Sequence, residues 1–331
     1  MDNYQPKQDR YTNGMCYRRC GNSGIQLPVI SLGFWHNFGH IGSYASQLEM
    51  VKYAFDHGIC HFDLANNYGP PAGSAEENFG RMMKQSFAAH RDEMFITSKA
   101  GHEMWAGPYG GNSSRKNLMA SFDQSLRRMG LDYVDLFYSH RYDGVTPIDE
   151  TMQALVDIVH QGKALYIGLS KYPIDKLLYA LNYLHTAGVP CLAYQDRYNM
   201  FARHVEEHHL QLCSSKGIGV VAFSPLAQGI LSDKYLHGIP ADSRAARPDG
   251  YLKTTDITPE KIARVTQLKA IADQRGQSIS QLALAWVLRQ SEVSTVIVGA
   301  RTLDQLKDSL HATTALELTP AEIENIEEIL K

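Results

Sequence analysis

The feature that most constrains the fold is a regular alternation of strand-like and helix-like segments along almost the whole chain. Short runs rich in β-branched and aromatic residues predict strands, and apolar residues at helical spacing follow most of them. The predicted strands are residues 29–35, 61–65, 94–100, 134–140, 164–171, 191–199, 219–226 and 295–300. The predicted helices are residues 45–57, 75–85, 114–129, 149–161, 174–186, 204–215, 259–275, 303–312 and 319–330.

Eight such units predict an α/β fold of the (β/α)8 TIM-barrel type, and a chain of 331 residues has the length for one barrel domain spanning residues 1–331. Several strands are apolar on both faces, as in a parallel sheet covered by helices. An open doubly wound sheet is also compatible with the alternation, but no G-x-G-x-x-G motif follows the first strand, which argues against a Rossmann domain.

Two segments do not fit the repeat. Residues 17–28 have the pattern of a β-hairpin with Asn-Ser-Gly at its turn, and this N-terminal hairpin is expected to plug the bottom of the barrel. Residues 227–258, after the seventh strand, have the composition of a long loop. Structureless stretches of this length inside a domain usually serve function.

Composition excludes several classes of protein. Apolar residues make up 44% of the chain and charged residues 20%, and the formal net charge is −3. Acids and bases are mixed along the sequence, so we expect neither nucleic acid nor a membrane as a partner. The polar N-terminal stretch lacks the apolar core of a signal peptide, and no apolar run reaches the length of a membrane span. A cytoplasmic protein is the simple expectation.

The five cysteines give no clear metal signature. Cys16 and Cys20 are spaced loosely like metal ligands, but no second pair completes a zinc site. Ordinary reduced thiols are the expected state, and no resident metal is predicted.

Polar and aromatic residues mark the ends of the predicted strands. In a TIM barrel, the carboxyl ends of the strands and the loops that follow them carry the chemistry. The residues at these positions are Trp35, Asp63, Lys99, Ser139-His140, Ser170-Lys171, Gln195, Phe223-Ser224 and Gly299-Ala300-Arg301, and Tyr68 follows in the loop after the second strand.

Four of these residues, Asp63, Tyr68, Lys99 and His140, form a coherent set. A lysine at a strand end is partly buried and needs a counter-ion, which Asp63 on the neighbouring strand can supply. A tyrosine beside that lysine is expected to have a pKa below its usual value of about 10, so that Tyr68 can exchange a proton near neutral pH. His140 is expected to orient a polar substrate or assist the proton transfer.

Each of these residues also has an ordinary structural explanation. Taken singly, Lys99 could be a solvated residue at the barrel rim, and Asp63 could be the acceptor of an Asx turn. Tyr68 could be a packing aromatic, and His140 a buried histidine with its hydrogen bonds satisfied. A metal site built on His61, Asp63 and His140 is a further alternative, although the cationic Lys99 would repel a metal ion. Compatible groups on successive strands favour the catalytic interpretation, provided that the strand assignments hold.

Several longer motifs carry a resemblance to a known family. The segments "GICHFDLANNYG", "FITSKAG", "MGLDYVDLFYSHR", "GKALYIGLS" and "FSPLAQGILSDKY" occur in that order. Together with the Asp63, Tyr68, Lys99 and His140 tetrad they resemble the aldo-keto reductase superfamily, over nearly the whole chain. The segments "SLGFWHNFGH", "NNYGPPAGSAEENFGR" and "GIPADSR" resemble the branch near voltage-gated potassium channel beta subunits.

The resemblance implies transfer of hydride from NADPH to an aldehyde, with the cofactor lying across the C-terminal face of the barrel. It implies that Phe223 stacks on the nicotinamide, that Ser170 and Gln195 hold its carboxamide, and that Trp35 and Asp63 adjoin it. Residue 171 is a lysine here, where many relatives have asparagine. Residues matching the family's pyrophosphate-wrapping loop are Ser224, Leu226, Gln228, Gly229, Lys234 and Arg244.

The adenosine end of the cofactor is matched by Gly299, Arg301, Gln305, Asp308 and Ser309. Many relatives have a lysine and an arginine where this chain has Gly299 and Gln305, which leaves Arg301 as the strong partner for the 2′-phosphate. A charge-assisted arginine–phosphate bond still favours NADPH, with NADH as a weaker alternative.

The resemblance also implies a small aldehyde substrate, such as methylglyoxal or a phosphorylated triose, with Tyr68 as general acid. The mouth of the site is expected to include Trp35, Tyr68, Trp105, His140 and Arg141. A second hypothesis is a cofactor-binding regulatory subunit like the channel-associated relatives, which carry asparagine where this chain has His140. A homo-oligomer is compatible with either hypothesis.

Overall fold

Eight parallel strands close into a barrel in a computed structural model of the chain, which describes residues 4–241, 243–246 and 251–331. An antiparallel hairpin precedes the barrel. The hairpin strands are β1 Tyr17–Arg19 and β2 Gln26–Pro28, and the barrel strands are β3 Ile30–Gly33, β4 His61–Asp63, β5 Phe95–Ala100, β6 Val134–Ser139, β7 Ala164–Ser170, β8 Cys191–Arg197, β9 Gly219–Phe223 and β10 Val293–Val298. Each barrel strand pairs with the next along the chain, and β10 closes on β3, so the predicted TIM barrel is confirmed.

Among the described residues, ten α-helices accompany the strands. They are α1 Tyr44–Asp56, α2 Ser74–Met82, α3 Arg115–Met129, α4 Ile148–His160, α5 Ile174–Thr186, α6 His209–Lys216, α7 Pro259–Gln274, α8 Ile279–Leu288, α9 Leu303–His311 and α10 Pro320–Leu330. Local sequence sets many of their ends. Helix α10 begins as the sequence predicts, with Pro320 in its first turn and Thr319 accepting a hydrogen bond from the backbone of Glu322.

The N-terminal hairpin closes the bottom of the barrel, as predicted. Cys20 and Leu27 are fully buried in one apolar cluster with inward-facing barrel residues, among them Tyr138 and Val221. The backbone N–H of Asn22 donates to the carbonyl of Gly217, just before β9, at 2.8 Å. This plug keeps water out of the lower barrel.

Alternate residues of each strand point into the barrel, which fixes what lies above the plug. On β5, Phe95 belongs to the inner apolar cluster, while Thr97 and Lys99 follow two and four residues later on the same face. Asp63 of β4 lies beside Thr97 in the parallel register. The inner face therefore changes from apolar at the bottom to polar at the C-terminal ends of the strands.

One helix was not predicted. Helix α8, Ile279–Leu288, occupies a segment to which the sequence analysis assigned no element, and all ten of its residues are buried. A helix that is covered on all sides shows no amphipathic period, so the search for spaced apolar residues missed it. The capping box formed by Ser278 and Gln281 was the available signal.

Other boundaries also differ from prediction. The helix predicted at 204–215 is a short 3-10 turn, His204–Glu206, followed by α6. Helix α2 ends at Met82 and continues as a π-helical turn, Met83–Phe87. The loop 227–258 contains several 3-10 turns, and its residues 242 and 247–250 lie outside the described residues. Within the described part of the chain, no helix has the length and apolar character needed to span a bilayer.

Leu27→Ala is expected to destabilise the protein because it opens a cavity between the plug and the barrel. A buried Leu→Ala change costs about 2–5 kcal/mol of unfolding free energy. Leu178→Ala is the control, since Leu178 is 42% exposed on α5, and should change stability by less than about 0.5 kcal/mol. Urea denaturation of both variants measures the difference, and equal effects would show that the hairpin is not a packed plug.

Candidate active site

A buried ion pair joins the ends of β4 and β5. Lys99 is completely buried, and its Nζ donates to Asp63 Oδ2 at 2.6 Å and to the carbonyl of Leu64 at 2.7 Å. The other carboxylate oxygen, Asp63 Oδ1, accepts from Thr97 Oγ1 at 2.8 Å and from Gln195 Nε2 at 3.0 Å. Both oxygens of the buried carboxylate therefore have partners, as a stable buried charge requires.

Burial and the ion pair act in opposite directions on Lys99. Burial lowers the pKa of the Lys99 ammonium, because a desolvated charge is unfavourable, and the nearby Asp63 carboxylate raises it, with a lowered pKa as the net result. The carboxylate is thus what favours the charged lysine in a dry environment.

Tyr68 lies next to this pair, as predicted. Lys99 Nζ donates to the Tyr68 hydroxyl oxygen at 3.4 Å, which leaves the phenolic O–H free to donate to another group. The expected lowering of its pKa is wrong for this structure: burial, and then the Asp63 carboxylate, raise the pKa of Tyr68 well above its usual value of 10. Asp63 compensates much of the charge of Lys99, so the cost of desolvating a phenolate exceeds its attraction to the ammonium. Tyr68 is consequently protonated at neutral pH, as a proton donor must be.

His140 follows β6 and faces Tyr68, with 5.9 Å between the ring centroids. It is 6% exposed, and its Nδ1 has no hydrogen-bond partner within the described part of the chain. Burial, followed by the charges of Lys171 and Lys99, lowers the pKa of His140 well below 6.5. A neutral imidazole at this position can hydrogen-bond a polar substrate atom without carrying a net charge.

The metal alternative does not assemble in the structure. His61 Nδ1 is hydrogen-bonded to Ser31 Oγ at 2.8 Å inside the barrel, and burial lowers the pKa of His61 to about 4. The Asp63 carboxylate is paired with Lys99. Residues 4–241, 243–246 and 251–331 contain no group of three or more His, Cys, Asp or Glu side chains arranged to hold a metal ion.

The residues expected at the nicotinamide end lie together at the mouth of the barrel. Ser170 is fully buried at the end of β7, and its hydroxyl has no partner in the described structure. Phe223 ends β9 and is partly buried against the inner cluster. Gln195 lies two residues before the end of β8, and its amide nitrogen donates to Asp63. A buried hydroxyl without a partner can hydrogen-bond a polar ligand at the barrel mouth.

The proposed pyrophosphate loop has a strained backbone. Ser224, Ala227 and Gln228 all have positive φ angles, between 47° and 60°, and Gly229 has a φ of 99°. Non-glycine residues in this region cluster at ligand-binding segments. The buried Oε1 of Gln228 also has no partner among the described residues, as expected of a group reserved for a ligand.

The same loop returns to the barrel mouth. The guanidinium of Arg244 lies 5.7 Å from the centre of the Trp35 ring, and Tyr251 contacts that ring at 5.3 Å. Leu226 lies in the turn after β9, where its carbonyl accepts from Gly229 and Leu231. Lys234 lies further along in a 3-10 turn, Asp233–Tyr235.

The residues matched to the adenosine end mostly make internal contacts. Gly299 and Arg301 are exposed after β10, and Gln305 Oε1 accepts from the backbone of Arg301 at 2.9 Å. Asp308 accepts from Ser278 and Gln281 at the start of α8. Ser309 is buried and donates to the carbonyl of Gln305. Binding roles for these residues stay predictions; Gly299, Arg301 and Gln305 are exposed.

The residues matched to the substrate mouth are only partly assembled. Arg141 Nε donates to the carbonyl of Gly101 at 3.0 Å and a second nitrogen to that of Gly111 at 3.4 Å, so its guanidinium braces the loop after β5. Trp105 lies in that loop and is partly exposed.

Sequence reasoning missed three contributors. Thr97 hydrogen-bonds Asp63, and its position two residues before Lys99 on one strand face was a usable signal. Gln195 was assigned to the cofactor alone, although it also holds Asp63. The third is His102, whose Nε2 lies 3.2 Å from Lys171 Nζ. No periodicity marks a loop residue such as His102.

Comparison with known proteins decides the family. Residues 29–331 match the model of the Aldo/keto reductase family. The chain belongs to this family. It is therefore an oxidoreductase, and members of the family use NAD(P)H.

Two curated relatives indicate where this aldo/keto reductase lies within the family. It is 48% identical over 320 residues to an Escherichia coli O157:H7 protein named L-glyceraldehyde 3-phosphate reductase, covering 95% of this chain and 92% of the relative. It is 35% identical over 326 residues to a probable voltage-gated potassium channel subunit beta of Arabidopsis thaliana, covering 96% and 97% of the two chains. The resemblance inferred from the motifs is thus confirmed.

Asp63→Asn is expected to lower kcat for aldehyde reduction by at least about ten-fold, since general acid–base catalysis contributes about 10²–10⁴-fold. Asparagine keeps the shape of the side chain but leaves the Lys99 ammonium buried without a counter-ion, which should also cost about 3–5 kcal/mol of stability.

Asp135→Asn is the matched control. Asp135 is a second buried carboxylate, paired with Arg91 at the other end of the barrel at 2.9 Å. This variant should lose stability while keeping kcat. Steady-state kinetics below the melting temperature give kcat for both variants, and urea denaturation gives their stability. Equal kcat losses in the two variants would mean that Asp63 acts only through stability.

Proposed function

We propose that this protein is an NADPH-dependent reductase of small aldehydes, with Tyr68 as general acid. The observation that carries the proposal is the position of the Tyr68 hydroxyl, 3.4 Å from a fully buried Lys99 that is paired with Asp63. Membership of the family and the 48% identity to a named aldehyde reductase support the same reaction class.

In this proposal the bound cofactor supplies the hydride, and the side chains of the chain do the rest. Tyr68 Oη donates its proton to the carbonyl oxygen as negative charge develops there. The Lys99 ammonium, favoured by Asp63, stabilises the phenolate that remains. Neutral His140 offers a hydrogen bond to the same carbonyl oxygen and orients the aldehyde.

The cofactor is proposed to lie across the mouth of the barrel. Phe223, Ser170 and Gln195 would hold the nicotinamide end beside Trp35 and Asp63. The remaining proposed contacts are Ser224, Leu226, Gln228, Gly229, Lys234 and Arg244 at the pyrophosphate and Gly299, Arg301, Gln305, Asp308 and Ser309 at the adenosine end. The strained turn at Ala227 and Gln228 and the orphaned hydroxyl of Ser170 support this placement.

The proposed substrates are small aldehydes of the kind named for the Escherichia coli relative, L-glyceraldehyde 3-phosphate, with methylglyoxal as a further candidate. Trp105 and Arg141 complete the proposed mouth with Trp35, Tyr68 and His140. A cytoplasmic location fits this role.

The second candidate function is a cofactor-binding regulatory subunit, and the 35% identity to a plant channel subunit beta favours it. The two functions differ in turnover. Loss of the near-ultraviolet absorbance of NADPH with methylglyoxal or glyceraldehyde 3-phosphate would support the reductase. Binding of NADPH without turnover of any small aldehyde would support the regulatory subunit instead.

Tyr68→Phe is expected to reduce kcat to below about one-tenth of the wild-type value while leaving NADPH affinity nearly unchanged, because only the proton-donating hydroxyl is removed. Tyr17→Phe is the control, since it removes a hydroxyl that donates to the Gly58 carbonyl near the hairpin. Steady-state kinetics and fluorescence titration measure both quantities. A Tyr68→Phe enzyme with more than about a tenth of wild-type kcat would refute the general-acid assignment.

Arg301→Ala is expected to raise the Kd for NADPH about ten- to a hundred-fold and the Kd for NADH much less, because only NADPH carries the 2′-phosphate. A hydrogen bond to a charged group is worth about 1.5–3 kcal/mol. Arg127→Ala, an exposed arginine near the end of α3, should change neither value. Equal weakening of both cofactors would show that Arg301 does not read the phosphate.

A further inference from the structure

Lys171 occupies an unusual position directly after β7. Its backbone φ is +56°, in the left-handed region that residues with a Cβ rarely adopt. The backbone N–H donates to the carbonyl of Gln195 at 3.2 Å, which fixes the residue at the barrel mouth. Strain of this kind is retained where the surrounding structure has a use for the side chain.

The side chain of Lys171 lies against a histidine rather than an acid. Its Nζ is 3.2 Å from His102 Nε2, in the loop after β5. No carboxylate of the described residues lies within ion-pair distance of Lys171, although a partly buried ammonium ordinarily finds one. Burial, and then the positive charge of Lys99, lower the pKa of Lys171 to about 8, although the more distant Asp196 carboxylate acts in the opposite direction.

The surroundings of this pair are rich in positive groups. Burial, followed by the charges of Lys171 and Arg141, lowers the pKa of His102 to about 4. Arg141 braces the same loop through the carbonyl of Gly101. An ammonium and a guanidinium near a neutral imidazole, without a balancing acid in contact, form a site suited to an oxyanion.

The pair is also adjacent to the proposed reaction centre. The His102 ring contacts the His140 ring, with 4.5 Å between the centroids, and His140 in turn faces Tyr68. A short aldehyde whose carbonyl oxygen lies between Tyr68 and His140 could therefore extend its other end towards His102 and Lys171.

We propose that Lys171, positioned by His102, binds the anionic end of the aldehyde substrate, a phosphate or carboxylate, and makes the enzyme selective for anionic aldehydes. This inference rests on the proposed reductase function. It gives the lysine a role towards the substrate.

Lys171→Asn tests the proposal without threatening the fold, because asparagine tolerates a positive φ better than lysine does. Glyceraldehyde 3-phosphate and glyceraldehyde differ only in the phosphate, and kcat/KM is measured for both with saturating NADPH. The variant should lose about ten- to a hundred-fold in kcat/KM for the phosphorylated aldehyde, as expected for a charge-assisted hydrogen bond. It should lose less than about two-fold for glyceraldehyde, and Lys171→Arg should restore most of the selectivity.

Two outcomes would overturn the proposal. Unchanged kcat/KM for glyceraldehyde 3-phosphate would show that Lys171 does not bind the anion. Equal losses for both aldehydes, with a raised Kd for NADPH, would assign the side chain to the cofactor instead.

A binding measurement separates this proposal from the reductase function. Calorimetric titration of inorganic phosphate is performed with NADP⁺ saturating, so that the cofactor's own phosphate sites are filled. Wild-type protein should bind phosphate about ten-fold or more tightly than Lys171→Asn, even if neither aldehyde is reduced. If neither aldehyde is reduced but wild-type protein still binds phosphate more tightly than the variant, only the reductase proposal is refuted. Equal phosphate binding by the two proteins would refute the anion site.

Discussion

The rest of the site depends on one buried ion pair, Lys99 with Asp63. Taking two charges out of water is costly, and their attraction compensates only when every remaining hydrogen-bonding position is satisfied. Here the Leu64 carbonyl accepts a second hydrogen bond from the lysine ammonium. Thr97 and Gln195 donate hydrogen bonds to the second carboxylate oxygen. The pair thus ties three barrel strands together at the mouth and fixes where Tyr68 can lie.

The barrel makes this arrangement feasible because its inner face is divided into two zones. The hairpin plug and the apolar inner cluster keep the lower half dry. The strand ends above them bring Asp63, Lys99, His140 and Ser170 to one surface. The exclusion of water from the lower barrel strengthens the charge interactions above it. Desolvation also keeps Tyr68 and His140 in their neutral forms. Those are the forms that the proposed proton donation by Tyr68 and carbonyl orientation by His140 require.

Much of this could be predicted from sequence, because strand alternation and strand-end position are local properties. The eight strands and the proximity of Asp63, Lys99 and Tyr68 followed from them. The sign of the Tyr68 pKa shift did not, since it depends on how completely the site is desolvated. Helix α8 was missed because it is buried on all sides, and the contact between His102 and Lys171 because it joins two loops distant in sequence.

The central claim is that Asp63 and Lys99 act as one unit on Tyr68. A double-mutant cycle with Asp63→Asn, Lys99→Met and their combination, read as the single-turnover rate of NADPH oxidation by an aldehyde, tests it most directly. Removing either member should disable the pair, so the double variant is predicted to be no more than about three-fold slower than the slower single variant. A double variant whose rate loss equals the product of the two single losses would mean that the residues act independently, which would contradict this account.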